Sequence, residues 1–308
     1  MSRALFALSI LALAVPLAGA AGPKAGTVHV LAKISVGKKP CAATAGFGVV
    51  WVTNYGQGTV RVIDPVRNRA VGRAIKVGSA PCGIVTGGGA VWVNEYGTNR
   101  VVKINPRKRK VAASIRVGGS PFDVLYTPGA VWSSDNAAGE VSRINPRTNR
   151  VIRRIEIADG PSGFVFSAGS VWIGTTAGNK VFRIDPATNA LTAIDTGALG
   201  PAWLASTDAD VWAAHPGQGT VTRISTATNA VVARIQVGGQ PVDGAIGPDG
   251  LVWIPNLTLN VIQRIDPATN QVVDSIPTGL GPFVLSVGYG DVWAPAFGGT
   301  SVWRLRLG

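Results

Sequence analysis

Seven Val-Trp pairs return every 40 or 41 residues, at Trp51, Trp92, Trp132, Trp172, Trp212, Trp253 and Trp293. A proline keeps step with them: Pro40, Pro81, Pro121, Pro161, Pro201, Pro241 and Pro282 lie 11 residues ahead of a repeat tryptophan, or 12 in the sixth case. A period in this range, with tryptophan and four strand-like segments per unit, marks a β-propeller, because one unit cannot bury its apolar faces alone and a closed stack can. The fold expected is all-β, a seven-bladed propeller of four-stranded antiparallel blades.

The second unit shows the pattern. Pro81 to Thr86 is a short apolar run, Gly87-Gly88-Gly89 a turn, and Ala90 to Asn94 a run rich in strand formers. Tyr96 to Asn99 turns again, Arg100 to Ile104 is a third strand, and Val111 to Val117 is a fourth that alternates apolar with polar residues. Inner strands apolar on both faces and an alternating outer strand suit blades stacked face to face with their outer edges in water. The third turn opens on Asp64-Pro65, Asn105-Pro106, Asn145-Pro146, Asp185-Pro186 and Asp266-Pro267. Asn68, Asn149, Asn189, Asn229 and Asn270 follow four residues after the Asp, Asn or Ser, where a left-handed residue closes such hairpins.

The last unit supplies only three strands before the chain stops, whereas Thr27 to Gly37 repeats the fourth-strand pattern of Ala230 to Gly238. The amino-terminal strand is therefore expected to complete blade 7, removing two sheet edges at once. Residues 1–21 read as a secretory signal peptide: Arg3, an apolar run from Ala4 to Leu17, then Ala18-Gly19-Ala20. That leaves residues 22–308 as one propeller domain, periplasmic or extracellular, expected to be a monomer with no membrane-spanning segment after cleavage.

The net charge of +13 is unevenly spread, since residues 1–155 hold 22 of the 29 Lys and Arg but 5 of the 16 Asp and Glu. The density peaks in Arg107, Lys108, Arg109 and Lys110 and in Arg147, Arg150, Arg153 and Arg154. Such clusters suit an anionic polymer, nucleic acid or acidic surface, or simply keep the chain soluble.

The segments Val50-Trp51-Val52-Thr53-Asn54, Ile63-Asp64-Pro65 and Pro81-Cys82-Gly83-Ile84 resemble YVTN-type propeller repeats and the closely related pattern of streptogramin B lyases. The resemblance covers nearly the whole mature chain and implies either a binding propeller or a metal-assisted carbon–oxygen lyase. The lyases are similar in using a His and Glu cluster at the propeller's mouth, with Mg²⁺. Here that role would fall to His215, with Glu95. His29 sits in the latch strand and reads as structural, and the residues after the seven prolines, Cys41, Cys82, Phe122, Ser162, Ala202, Val242 and Phe283, include no histidine.

In a four-stranded blade the loop leading into the first strand and the loop joining the second to the third share one face, where function would gather. That face should carry Asp123, Trp203 and Asp243 from the first set, with Tyr55, Glu95, Tyr96, Asp135, Asn136, His215 and Asn256 from the second. Trp203 is off the repeat phase, so it either stacks on a ligand or plugs the channel. Glu95, Asp123, Asp135, Asp243 and His215 offer donor atoms for a cation, or hydrogen bonds for loop amides. No cofactor is required by the residue pattern, and the partners it suits are a small ligand or an envelope protein. Cys41 and Cys82 hold one register in adjacent blades; an exported chain favours a disulfide, while the spread of adjacent strands opposes it.

Overall fold

The computed structural model describes residues 26–308, so the signal-peptide reading lies outside the described residues. Seven sheets of four antiparallel strands follow one another along the chain. Blades 1 to 6 span residues 40–76, 81–116, 121–156, 161–195, 203–236 and 245–277. Blade 7 takes three strands from residues 286–307 and its outer strand from Val28–Ser35, which pairs with Ser301–Leu307 from Val28 opposite Leu307 to Ser35 opposite Ser301. The seam is sealed further by the Gly308 amide donating to Thr27 O at 2.8 Å. Ring closure by the two ends of the chain is thus as the repeat pattern implies.

Strand-forming residues set each blade and glycine or asparagine ends it. The inner strands shorten in the last two blades, to Ala245–Ile246 and Ser286–Gly288. Their upper ends are held by single bridges, Pro241 to Asn256 and Pro282 to Ala296. The left-handed position of the third turn is Asn68, Asn149, Asn189, Asn229 or Asn270 in five blades, and Arg109 at φ 50° in blade 2.

All seven repeat tryptophans are fully buried between blades. Eleven residues after six of them a cation lies across the sheet, and it packs over the indole: Lys103 on Trp92, Arg143 on Trp132, Arg183 on Trp172, Arg223 on Trp212, Arg264 on Trp253 and Arg304 on Trp293. Each such stack contributes about 0.5–2 kcal/mol. The same cation reaches into the following blade. Lys103 Nζ donates to Pro146 O at 2.7 Å, Arg183 to Asn229 Oδ1 at 3.0 Å, and Arg223 to Asn270 Oδ1 at 3.0 Å. Arg304 crosses the closure seam to Pro65 O and Asn68 Oδ1. The turn asparagine thus closes its own hairpin and accepts the preceding blade's cation. Arg264 of blade 6 reaches Gly26 O instead of an asparagine, and blade 1 lacks the cation altogether, because Val62 stands opposite Trp51 and the next turn carries Arg109 where five blades carry asparagine.

Candidate functional site

The inner strands converge at the hub, and the third residue of each proline register lines it: Ala42, Gly83, Asp123, Gly163, Trp203, Asp243 and Val284. Small residues make room for large ones. A side chain at Gly83 would meet Asp123 Oδ1 at 2.9 Å, and one at Gly163 would meet the Trp203 ring at 3.2 Å. Convergence also brings Cys41 and Cys82 to a Cα separation of 5.1 Å, and they form a disulfide. The expectation that adjacent strands stand too far apart fails at the hub, where blades are narrowest. Closing a loop of 41 residues constrains the unfolded chain by about 4 kcal/mol.

Trp203 is 7% exposed and spans the mouth of the channel, with Phe122 of blade 3 on one side at 4.9 Å and Phe283 of blade 7 on the other at 5.2 Å. Tyr96 packs on Phe122 at 5.8 Å, while Phe297 links Phe283 at 5.4 Å to Tyr55 at 5.6 Å. Six aromatic rings thus form an arc across the hub, which places Trp203 as a plug as well as a wall. Phe122 and Phe283 occupy the position after the repeat proline, where other blades have Cys, Ser, Ala or Val. Bulk there was the available signal for the arc. Phe297 gave none.

Asp123 and Asp243 lie in the hub. The Phe164 amide donates to Asp123 Oδ2 at 2.9 Å and the Val124 amide to Oδ1 at 2.8 Å. Burial pushes the Asp123 carboxyl up to about 6 despite these donors. Asp243 is held well above the usual carboxylate range by burial and then by the charge of Asp123, with the Leu204 amide pulling the other way. Asp123 is partly buried and Asp243 is 8% exposed. The two carboxyls repel when both are ionised, and the pair retains a proton more readily than separate aspartates.

The remaining polar candidates share another register, three residues after the repeat tryptophan: Asn54, Glu95, Asp135, Thr175, His215 and Asn256, all buried. Four of these side chains tie down the loop leading into their own blade. Asn54 Nδ2 donates to Val36 O at 2.9 Å, and Asn256 Nδ2 to Gly238 O at 2.8 Å. Asp135 Oδ2 accepts from the Gly118 amide at 2.8 Å. His215 Nδ1 faces Leu199 O at 3.0 Å and Nε2 faces Thr222 Oγ1 at 2.9 Å. A carbonyl only accepts, so Nδ1 carries the hydrogen and Nε2 accepts a hydrogen bond from the Thr222 hydroxyl. Burial lowers the His215 pKa, in keeping with a neutral ring. Glu95 accepts from the Thr98 hydroxyl and has one buried oxygen without a partner; burial raises its carboxyl. Burial raises Asp135 too, against hydrogen bonds from Ser142, Ser133 and the Gly118 amide. Glu95, Asp135 and His215 therefore each serve their own blade, and among the described residues no three His, Cys, Asp or Glu side chains come together. Asn136 donates to Pro161 O at 3.1 Å, tying blade 3 to the next.

Beside the arc, between blades 4 and 5, lies an open groove of about 450 Å³ lined by Thr176, Ala177, Leu199, Gly200, Ala202, Trp203, Pro216, Gly217 and Gln218. Its wall is mainly apolar, Leu199 is 61% exposed, and no charged side chain lines it. His215, by holding the Leu199 carbonyl, fixes one lip.

No family profile matches the sequence, and no curated protein matches it at a significant level. The fold is similar to a streptogramin B lyase structure, with a TM-score of 0.80 at 17% identity over 91% of this chain and 98% of that one. It is also similar to virginiamycin B lyase from Staphylococcus aureus, at a TM-score of 0.77 and 17% identity over 91% and 99% of the two chains. A third likeness is to Kuenenia stuttgartiensis hydrazine synthase, at a TM-score of 0.76 and 16% identity over 88% and 96%. In fold, this chain is a streptogramin B lyase-like seven-bladed β-propeller.

Proposed function

We propose that the protein is an exported binding propeller that presents its loop face to a small ligand carrying an apolar ring, seated in the groove beside Trp203. The observation that supports this reading is the groove itself: an uncharged, mainly apolar wall with an off-repeat indole and an exposed leucine, rimmed by the Thr176 and Gln218 side chains. Indole presents a rigid apolar face to a ring at low entropic cost, and the neutral polar groups fix its orientation. The direct test is a titration of phenyl glucoside and of quinupristin followed by thermal shift. Saturable stabilisation lost in Leu199→Asp supports the reading. Stabilisation unchanged in that variant refutes it.

A lyase is the second reading, favoured by the fold likeness to streptogramin B lyase. It would need His215 and Glu95 as acid–base or Mg²⁺-holding groups. Against it, both His215 ring nitrogens have protein partners, and Glu95 serves a different blade. Chelator-sensitive linearisation of quinupristin, abolished by His215→Ala, would establish the lyase and displace the binding reading.

A further inference from the structure

The one break in the tryptophan clamp coincides with the strongest concentration of unpaired cations. Every other blade places a Lys or Arg over its tryptophan, but blade 1 has Val62 there. The turn that such a cation would reach has Arg109 in the left-handed position that asparagine fills in five blades. One positive charge is thereby absent from the buried stack and present on the outer wall, at a backbone conformation that an arginine disfavours. The fold asks for neither change, so the pair points to a use outside folding.

Arg109 lies against the outer strand of blade 1, with its Nη1 only 3.1 Å from where a Gly72 side chain would begin. Arg61 donates to Gly72 O at 2.7 Å from the other face of blade 1, beside Ser35 and Val36 that lead out of blade 7. Exposed Arg69 and Arg73 lie on that same outer strand of blade 1, and exposed Arg107 lies in the same turn as Arg109. Asp64, the acidic residue of the neighbouring turn, is bound to Arg67 at 2.6 Å. Among the described residues none of Arg61, Arg69, Arg73, Arg107 and Arg109 forms an ion pair, and residues 1–25 contain no Asp or Glu. The band runs on through exposed Lys110, Arg116, Arg147, Arg150 and Arg153 on blades 2 and 3. It fades at Arg154, which Glu140 engages, and at Glu156.

We propose that the wall of blades 1 to 3, centred on Arg109 where blade 2 meets blade 1, binds a linear phosphate-bearing polymer. Guanidinium forks match phosphate with two parallel hydrogen bonds, and Arg109 and Arg107 in one turn offer two such forks to it. The band follows the curved outer edge of a disc. A flat bilayer touches such an edge only along a narrow strip, whereas a flexible chain follows it across three blades. This site is separate from the groove beside Trp203, so either can fail without the other.

The test is anisotropy of fluorescein-labelled linear polyphosphate across a series of NaCl concentrations. The decisive variant is Val62→Arg/Arg109→Asn, which restores the repeat clamp and leaves the net charge unchanged. Its affinity is expected to fall about fivefold, and the slope of log K against log salt to shrink by about 0.7 to 0.9. Should that variant not fold, Arg109→Asn is compared with Lys180→Gln, which removes the same charge from blade 4; only the first is expected to weaken binding. Equal effects of the two, or a double variant that binds as the parent does, would show net charge alone and overturn the proposal. Binding to phosphatidylglycerol vesicles without binding to polyphosphate would overturn it in favour of a lipid surface. Equal binding of polyglutamate would overturn the assignment to phosphate.

Discussion

Asp243→Asn is expected to stabilise the protein at pH 8 and to do little at pH 4. In the native hub Asp123 is raised from the usual 3.8 to about 6, and Asp243 is raised further by burial and by its neighbour's charge. A carboxyl whose folded pKa exceeds its unfolded one binds protons more tightly when folded. Its contribution is fully present below about pH 4 and is lost as pH rises through about 6. For Asp123 the shift is about two pH units, which at about 1.4 kcal/mol per unit amounts to about 3 kcal/mol lost between acid and neutral pH. Asparagine keeps an oxygen for the Leu204 amide and offers an N–H to Asp123, so the variant removes the repulsion without orphaning a donor. The figure of about 3 kcal/mol belongs to Asp123. Asp243 is raised chiefly by its own burial and then by Asp123, so removing its charge should raise Tm at pH 8, each 1 kcal/mol gained being worth about 2–4 °C. Thermal unfolding followed by near-ultraviolet circular dichroism at pH 4 and pH 8 measures it. A variant that shifts Tm equally at both pH values, or lowers it at pH 8, would refute the repulsive pair.

Four further outcomes follow from the same geometry. Arg304→Gln leaves the fully buried Asp291 with only Arg306 and releases Asn68 across the closure seam, so urea unfolding should show a loss of about 3 kcal/mol. Burial pushes the Asp291 carboxyl up, but hydrogen bonds from Arg306 and Arg304 and their charges together hold it below the usual carboxylate range. That part of the stability is therefore present above about pH 4 and lost as pH falls below it, the reverse of the hub pair, and Arg304→Gln should flatten the acid limb of the unfolding curve. Cys41→Ala/Cys82→Ala should lose about 4 kcal/mol in urea, and reducing agent should affect the parent protein alone. His215→Ala strands the Leu199 carbonyl and the Thr222 hydroxyl, costing about 2–3 kcal/mol, and hydrogen exchange should speed up in the loop leading into blade 5.

The ring was legible because each blade repeats the same solution: a tryptophan to fill the gap between sheets, a proline to start the inner strand, an asparagine to close the outer hairpin. The latch was legible for the same reason, since Thr27 to Gly37 carries a pattern missing from the other end. The cation eleven residues after six of the seven repeat tryptophans was equally visible, yet its meaning depends on which blade it reaches, and that is a property of stacking rather than of spacing. The site was less legible. Asp123 and Asp243 read as entry-segment residues of the loop face, but they interact across the hub from blades 3 and 6, a pairing that linear spacing does not encode. Glu95, Asp135 and His215 read as residues converging on the channel; their common offset from the tryptophan instead puts each beneath its own blade. For Cys41 and Cys82 the deciding fact is the taper of the blade toward the hub.

The account's central claim is that ligand meets this protein at Trp203, the indole outside the seven-fold register. Labelling the nine tryptophans with 5-fluorotryptophan and titrating phenyl glucoside and quinupristin under fluorine NMR tests it most directly. The account predicts that the resonance assigned to Trp203 by Trp203→Phe moves with saturation while the seven repeat tryptophans stay still. A saturable shift of repeat tryptophans with Trp203 unmoved would contradict it.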